Sequence, residues 1–363
     1  MKPLRGAIVG FGQVAQNAHA PAFRGRDDFA IAAVADAEPE RLRLAAAAFP
    51  DARTYPSLEA LLAAEDGLDF ADLATPPWLH GRQALLTLER GLHVLCEKPL
   101  TLERSELRRI TARARLRGRA VFTVHNWAYS PIWARARELV ASGALGSTRH
   151  AQLHALRTKP AAGSQGSDWR TDARKACGGI LVDHGWHNFY LLRQVLFPGG
   201  GSAAPLKTQA SFHWPGDDSS PAAPCGRGEL LPSRDGGPLA AEDEATVFYA
   251  FPSATALVRL SWRAAARSNW ALVQGSAGSM ELRDGALLLR LGTEPERQFR
   301  FPDNLSAASA HPEWFAAMLT DFRAEVQDAG ARGRNLEEAG FVLDLIRRAY
   351  ECGGQRTPEG VRP

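Results

Sequence analysis

Two stretches of this chain place an ionisable side chain where a proton could be moved. The first is Glu97-Lys98-Pro99, directly after an apolar run that ends at Cys96. A lysine at the carboxyl end of a strand can hydrogen-bond a hydroxyl and take its proton, once partial burial or a nearby cation favours the neutral amine. A surface Glu-Lys pair ahead of a proline turn is the plainer alternative, and the tripeptide alone favours it. The second is Cys177-Gly178-Gly179-Ile180-Leu181-Val182-Asp183-His184-Gly185-Trp186-His187, continued by the apolar Phe189, Leu191, Leu192 and Val195. Read as one helix, it projects Asp183 and His187 from one face, four residues apart. The carboxylate can then orient the imidazole and raise its basicity. His184 lies roughly 100° around that helix and faces elsewhere. Local capping by the acid and a satisfied core histidine are the plainer alternatives. Asp183, His184 and His187 could also ligate a metal, but no second cluster completes a ligand set, so no metal is expected.

A third stretch, Gly6-Ala7-Ile8-Val9-Gly10-Phe11-Gly12-Gln13-Val14-Ala15, has the makings of a dinucleotide cradle. Its apolar run reads as a buried parallel strand. Gly10 permits the tight turn out of that strand, and Gly12 lets a pyrophosphate approach the backbone. Ala15 is small enough for the next helix to pack on the strand. The helix N-terminus then faces the phosphates, with Gln13 and Val14 completing the cradle. A second apolar run, Phe29 to Ala35, ends in Asp36. That acid stands about 20 residues past the glycines, where a carboxylate accepts hydrogen bonds from the adenosine ribose. Asp36-Ala37-Glu38 would set two carboxylates against a 2′-phosphate, which favours NAD over NADP, with Arg41 and Arg43 near enough in sequence to keep NADP as the alternative.

These residues need a scaffold, and the pattern supplies one. Strand and helix signals alternate from Leu4 to Val124: strands at Leu68–Ala74, His93–Cys96 and Ala120–Val124, helices at Glu38–Phe49, Trp78–Arg90 and Leu102–Arg117. Such β-α-β alternation predicts a doubly wound parallel sheet, a Rossmann domain over residues 1–125. Residues 126–363 then form an α+β domain, and its C-terminal helix could pack back on the first. It opens with a helix at Pro131–Ser142. Strands follow at His150–Arg157, Leu206–Trp214, Ala245–Phe251, Ala254–Trp262, Trp270–Ser276, Ser279–Leu282, Leu287–Leu291 and Gln298–Phe301. Turn pairs such as Pro252-Ser253, Ala277-Gly278 and Asp284-Gly285 predict a mostly antiparallel, open sheet. Helices at Pro312–Ala329 and Asn335–Glu351 close the chain, and Pro215–Ala241, rich in Gly, Pro, Ser and Asp, reads as a long loop.

The 363 residues suffice for two domains, and 45% hydrophobic with 23% charged residues is ordinary for a globular protein. A formal charge of +3 is too small to imply a nucleic-acid or membrane partner. The four cysteines, at 96, 177, 225 and 352, form no Cys-x-x-Cys pair and suggest reduced thiols. No apolar run is long enough for a membrane span, and the chain enters its first strand without room for a signal peptide. A cytoplasmic location is expected. Arg157, Lys159, Arg170, Arg174 and Lys175 could contact an anionic group on a substrate, but a solvated basic loop is the preferred reading. Trp169 and Trp186 could stack on a sugar ring or pack in a core. Trp169, Arg170 and His184 are the substrate-side candidates.

In order along the chain stand Gly10-x-Gly12-x-x-Ala15, Glu97-Lys98-Pro99, Asn126-Trp127-Ala128-Tyr129-Ser130-Pro131 and Gly178-Gly179-x-x-x-Asp183-x-Gly185-x-His187, followed by Gly275-Ser276-Ala277-Gly278-Ser279-Met280-Glu281. This set resembles the Gfo/Idh/MocA family, the glucose–fructose oxidoreductase and inositol dehydrogenase group, over nearly the whole chain. The resemblance implies a nicotinamide-dependent oxidoreductase of a sugar, cyclitol or related polyol. It implies Lys98 and His187 as acid/base residues, with Asp183 orienting them or binding a substrate hydroxyl. Thr75, Pro76 and His80 match the loop bordering the nicotinamide, and Glu97 and Asn126 match positions near the nicotinamide ribose. It further implies a homodimer or homotetramer through the second sheet. Two residues depart from the pattern: many members carry Arg where Ala128 stands, and Asp where Tyr190 stands. A non-redox lyase or glycosidase with tightly held NAD, and a non-catalytic dinucleotide-binding protein, are the competing classes.

Overall fold

The computed structural model describes residues 2–160, 170–201, 203–215, 241–302, 306 and 311–353. Its described residues divide into two compact units. The first runs through Ser130 and takes in 311–340; the second takes the described residues between 131 and 306, and 341–353.

The first unit is a six-stranded sheet: β1 (Leu4–Val9), β2 (Phe29–Ala35), β3 (Arg53–Tyr55), β4 (Phe70–Leu73), β5 (His93–Cys96) and β6 (Val121–Thr123). Every neighbouring pair is parallel, in the order β3-β2-β1-β4-β5-β6. The order reverses at β1 and β4, which is where a doubly wound sheet opens its ligand crevice. All residues of β4 and β5 are buried, as expected for central strands covered on both faces. Helices α1 (Ala20–Arg24), α2 (Pro39–Ala48), α3 (Leu58–Ala64), α4 (Pro77–Glu89) and α5 (Arg104–Arg117) connect them. One sheet face is filled by Leu58, Leu61, Leu88 and Ile110, the other by the aromatic rings of Phe23, Phe29, Phe70 and Phe122.

Three elements differ from the sequence reading. The short β3 and α3 were absent from it, because Arg53-Thr54-Tyr55 is too brief and too polar to carry a period. The helix after the glycine turn is π-wound over Ala15–His19, between an α-helical start at Gln13–Val14 and α1. Pro21 accounts for this: its ring has no N–H to return to the carbonyl four residues back and clashes with it.

In the second unit, α6 (Pro131–Ala141) precedes β7 (Thr148–Leu156). Short helices α7 (Ala173–Ala176), α8 (Ile180–Asp183) and the longer α9 (Gly185–Leu196) follow. Strands β8 (Lys207–His213), β9 (Glu244–Ala250), β10 (Thr255–Ser261), β11 (Ser268–Gly275), β12 (Gly278–Arg283), β13 (Ala286–Leu291) and β14 (Arg297–Arg300) complete an eight-stranded sheet. Its order is β14-β13-β12-β11-β7-β10-β9-β8. All pairings are antiparallel except β7 with β10, which are parallel. The Asp284-Gly285 turn has φ of +45° and +86°, the geometry a two-residue hairpin requires. Burial alternates along these strands, and α9 lies on β7. Helices α10 (Pro312–Gln327) and α11 (Arg334–Gly353) end the described chain. Within the first unit, Phe315, Met318, Leu319 and Phe322 of α10 join the aromatic face of the parallel sheet. No described helix is long and apolar enough to cross a membrane. Most of Pro215–Ala241 lies outside the described residues.

Candidate active site

The first unit gathers its candidates where parallel strands end. Gly10 leaves β1 with φ +89°, and a Cβ there would sit 2.8 Å from the Ala74 carbonyl oxygen. No protein atom lies within 4 Å of where a Cβ on Gly12 would project, so the turn offers its backbone to open space. Gln13 and Val14 are exposed beside it. Asp36, past the end of β2, is only 7% exposed. Its Oδ2 accepts the Phe11 N–H (2.6 Å) and its Oδ1 the Glu38 N–H (2.9 Å). The carboxylate therefore closes the glycine turn from the second strand, with the Arg41 guanidinium 3.7 Å away. Asn126 follows β6, and its buried Oδ1 has no hydrogen-bond partner. An open glycine cradle, an acid fixed beside it and an orphaned amide oxygen along the same sheet edge fit a dinucleotide.

Past β4, the Thr75 hydroxyl donates to Gln83 Oε1 (2.6 Å). His80 is wholly buried, with Nδ1 on the Pro99 carbonyl and Nε2 on the Thr75 carbonyl, each at 2.7 Å. Burial holds this imidazole below its ordinary pKa against the pull of the two carbonyls. His80 thus packs between the Thr75-Pro76 loop and the segment that carries Lys98, and its neutral ring has one N–H to give to one of the two carbonyls. Lys98 itself is half-buried just past β5, before a cis peptide to Pro99.

Beneath that lysine lies a cluster that sequence reading missed. The buried His19 ring donates from Nδ1 toward Asp72 Oδ2 (2.7 Å) and from Nε2 toward Glu97 Oε1 (3.1 Å), and it stacks on Phe315. The other oxygen of Glu97 accepts the Lys98 N–H (3.1 Å). Burial works against a charge on His19, but the Asp72 and Glu97 carboxylates outweigh it and push the ring up to about 9. Burial likewise would raise the Glu97 carboxyl, yet His19 and Lys98 hold it below its usual range. An aspartate inside the otherwise apolar Phe70-Ala71-Asp72-Leu73 strand was the signal that could have found it.

The second unit corrects the helix assumed for the other motif. Helix α8 ends at Asp183 and α9 begins at Gly185, with His184 between them at φ −97° and ψ −27°. The one-turn stacking of Asp183 on His187 assumed an unbroken helix, and that premise fails. Instead, the Asp183 carboxylate lies 3.3 Å from Nδ1 of the adjacent His184. His187, only 7% exposed, has Nδ1 2.8 Å from the Tyr190 hydroxyl. Tyr190 is fully buried, so the residue that departs from the family pattern is the one that bonds the histidine.

The basic stretch is corrected in part. Arg157 is 4% exposed rather than solvated, donating to the Leu156 and Ser268 carbonyls (2.8 and 3.2 Å) and to Asn269 Oδ1 (3.1 Å). Burial lowers its pKa to about 10, Arg267 adds to the fall, and Asp183 opposes it. Arg170 is half-buried. Trp186 is 1% exposed and belongs to the core, and Trp169 lies outside the described residues. Cys96, Cys177 and Cys352 are free thiols. Among the described residues, no group of three or more His, Cys, Asp or Glu side chains is arranged to hold a metal ion.

Comparison with known proteins matches this architecture in both halves. Residues 4–125 match the oxidoreductase family with an NAD-binding Rossmann fold, and residues 133–281 match the GFO/IDH/MocA C-terminal domain. A putative UDP-kanosamine synthase oxidoreductase subunit of Amycolatopsis mediterranei is 27% identical, over 99% of both chains. The D-glucoside 3-dehydrogenase of Escherichia coli is 31% identical over 54% of this chain and 55% of its own length. An inositol dehydrogenase homolog of Azotobacter vinelandii, solved with NAD+, superposes with a TM-score of 0.76 at 22% identity, covering 98% of this chain and 97% of that one. The chain belongs to the Gfo/Idh/MocA family of NAD-binding oxidoreductases.

Proposed function

We propose that this protein is an NAD-dependent dehydrogenase or reductase acting on a ring hydroxyl, or the matching ketone, of a sugar or cyclitol. The observation that carries the reading is the gathering of Gly10, Gly12, Asp36, Glu97-Lys98 and Asn126 past the carboxyl ends of four parallel strands. Bound there, the nicotinamide supplies the hydride chemistry. Asp36, with both oxygens on backbone N–H groups, takes the adenosine ribose and disfavours a 2′-phosphate, so NAD is preferred to NADP. Lys98 takes the hydroxyl proton in oxidation and returns it in reduction, its backbone fixed by Glu97. Asp183 and His187 serve the substrate side, with the Tyr190 hydroxyl holding the imidazole. Trp169, Arg170 and His184 are left as substrate contacts.

One relative that covers 99% of this chain is named as a UDP-kanosamine synthase oxidoreductase subunit, so the nucleotide-linked sugars are the first class to test. The deciding experiment is an NAD-reduction screen across free, phosphorylated and nucleotide-linked sugars and cyclitols, with the matching ketones offered to NADH. Net NADH formation or consumption is expected. Turnover of a substrate without net NADH change would instead establish the lyase or glycosidase class. The half-buried Gln152, His154, Trp270 and Leu272 alternate with core residues along β7 and β11 and favour a homodimer or homotetramer through that face. Light scattering of the eluted protein reads the subunit number.

A further inference from the structure

The Gly178-Gly179 turn is held from a distance. Glu242, 2% exposed just ahead of β9, reaches it across 63 residues of sequence. Its Oε2 accepts the Gly179 N–H (2.8 Å), and its Oε1 accepts the Leu181 N–H (3.0 Å) and the Tyr350 hydroxyl (2.7 Å). Its main-chain carbonyl accepts the Ile180 N–H (3.0 Å). Three successive N–H groups at the start of α8, which have no partner within a helix, therefore all end on one residue. Tyr350, on α11, locks that residue in turn.

The motif's glycines follow from this clamp. A Cβ on Gly179 would overlap the Glu242 carbonyl, and one on Gly178 would come 2.5 Å from the Tyr350 hydroxyl. Gly178 has φ +149°, and Cys177 before it takes φ +60°, a backbone that persists only where its surroundings enforce it. Glutamine cannot replace the carboxylate, because its amide NH2 would face one of the N–H donors. Burial pushes the Glu242 carboxyl up to about 7, and no described Lys, Arg or His forms an ion pair with it. A stability-minded core would have avoided such a group.

We propose that Glu242, with Tyr350 acting through it, is the positioning residue for the segment that carries Asp183 and His187. The proposal rests on the reading of those two side chains as substrate-side groups. The clamp fixes where α8 begins, and α8 ends at Asp183, so slack in the turn displaces the carboxylate and the start of α9 together. A shift of about 1 Å in such groups can cost about 100-fold in rate.

The test uses the full chain with a substrate found by the screen. Thermal unfolding, kcat, KM and the NADH dissociation constant are compared for wild type, Glu242→Gln, Tyr350→Phe, the double variant and His187→Ala. Expected are a loss in kcat of at least about 10-fold for Glu242→Gln and a smaller loss for Tyr350→Phe. NADH affinity should stay within about 2-fold for both. The double variant should fall no lower than Glu242→Gln, since Tyr350 works through the carboxylate. Folded Glu242→Gln with wild-type kcat, a change confined to KM, or independent multiplying losses in the double variant would overturn the proposal. Should Glu242→Gln not fold, Tyr350→Phe decides alone: lowered kcat with unchanged NADH affinity supports the clamp, and unchanged kcat overturns it. Wild-type turnover in His187→Ala would instead overturn the site reading beneath it.

Discussion

At the scale of single residues, the first unit concentrates charge under one lysine. His19 compensates two buried carboxylates, so removing its ring leaves Asp72 and Glu97 without a cation between them. Breaking a buried pair in this way costs about 3–5 kcal/mol. His19→Ala should therefore lower the denaturant midpoint sharply, while an exposed pair such as Arg82–Glu59 should contribute under about 1 kcal/mol when broken. Lys98→Ala makes a different prediction. Turnover should fall by about 100-fold or more with NADH binding nearly unchanged, and a variant that turns over normally would remove Lys98 from the proton path. The histidine of the second unit has a neutral phenol as its partner. A hydroxyl can donate to an imidazole nitrogen or accept from it, so this contact holds with either ring tautomer.

At the scale of elements, Gly10 is the sharpest case. Its φ of +89° and the 2.8 Å approach of a Cβ to the Ala74 carbonyl leave no room for a side chain. Gly10→Ala should push β1 and β4 apart at the crevice and weaken NADH binding by at least about 10-fold, read by NADH fluorescence. Much of this level was legible beforehand. The glycine turn, Asp36 and the strands feeding Glu97-Lys98 could be read because their signals are local: an apolar run, then a glycine or an acid. The break at His184 could not, because the apolar residues on either side keep helical spacing through it. The parallel pairing of β7 with β10 was equally hidden, since alternation along a strand does not reveal the direction of its neighbour. Glu242 and Tyr350 carry no local mark at all. Each is an ordinary residue whose role exists only once distant segments meet.

For the molecule as a whole, three buried titrating groups shape stability against pH in one direction. Glu242 and Glu325 are each raised from 4.5 to about 7, chiefly by burial. Each keeps its proton in the folded chain over a range where the unfolded chain has lost it, so its contribution to stability falls as pH rises from about 4.5 to about 7, while His93, held down to about 3 chiefly by burial, contributes in the opposite direction up to about 6.5. His19, raised from 6.5 to about 9, extends the decline from about 6.5 to about 9. A shift of this size corresponds to a loss on the order of 3 kcal/mol per group. Glu325 accepts the Gly333 and Asn335 N–H groups that start α11 (2.9 and 2.8 Å). Replacing it by Gln should remove Glu325's share of the fall between about pH 4.5 and 7, leaving that of Glu242, while the part above pH 7, which belongs to His19, stays unchanged. Chemical denaturation across that range measures both.

The carboxylate that closes the glycine turn restricts how the coenzyme preference can be redesigned. Exchanging Asp36 for a small neutral or cationic residue, the obvious route to a phosphorylated ribose, also strips the Phe11 and Glu38 amides of their acceptor. A successful swap must find a new acceptor for both amides, because Asn or Ser offers one oxygen where the carboxylate offers two, and must draw on Arg41 for the added charge. Substitutions without such an acceptor should lose both coenzymes rather than trade one for the other.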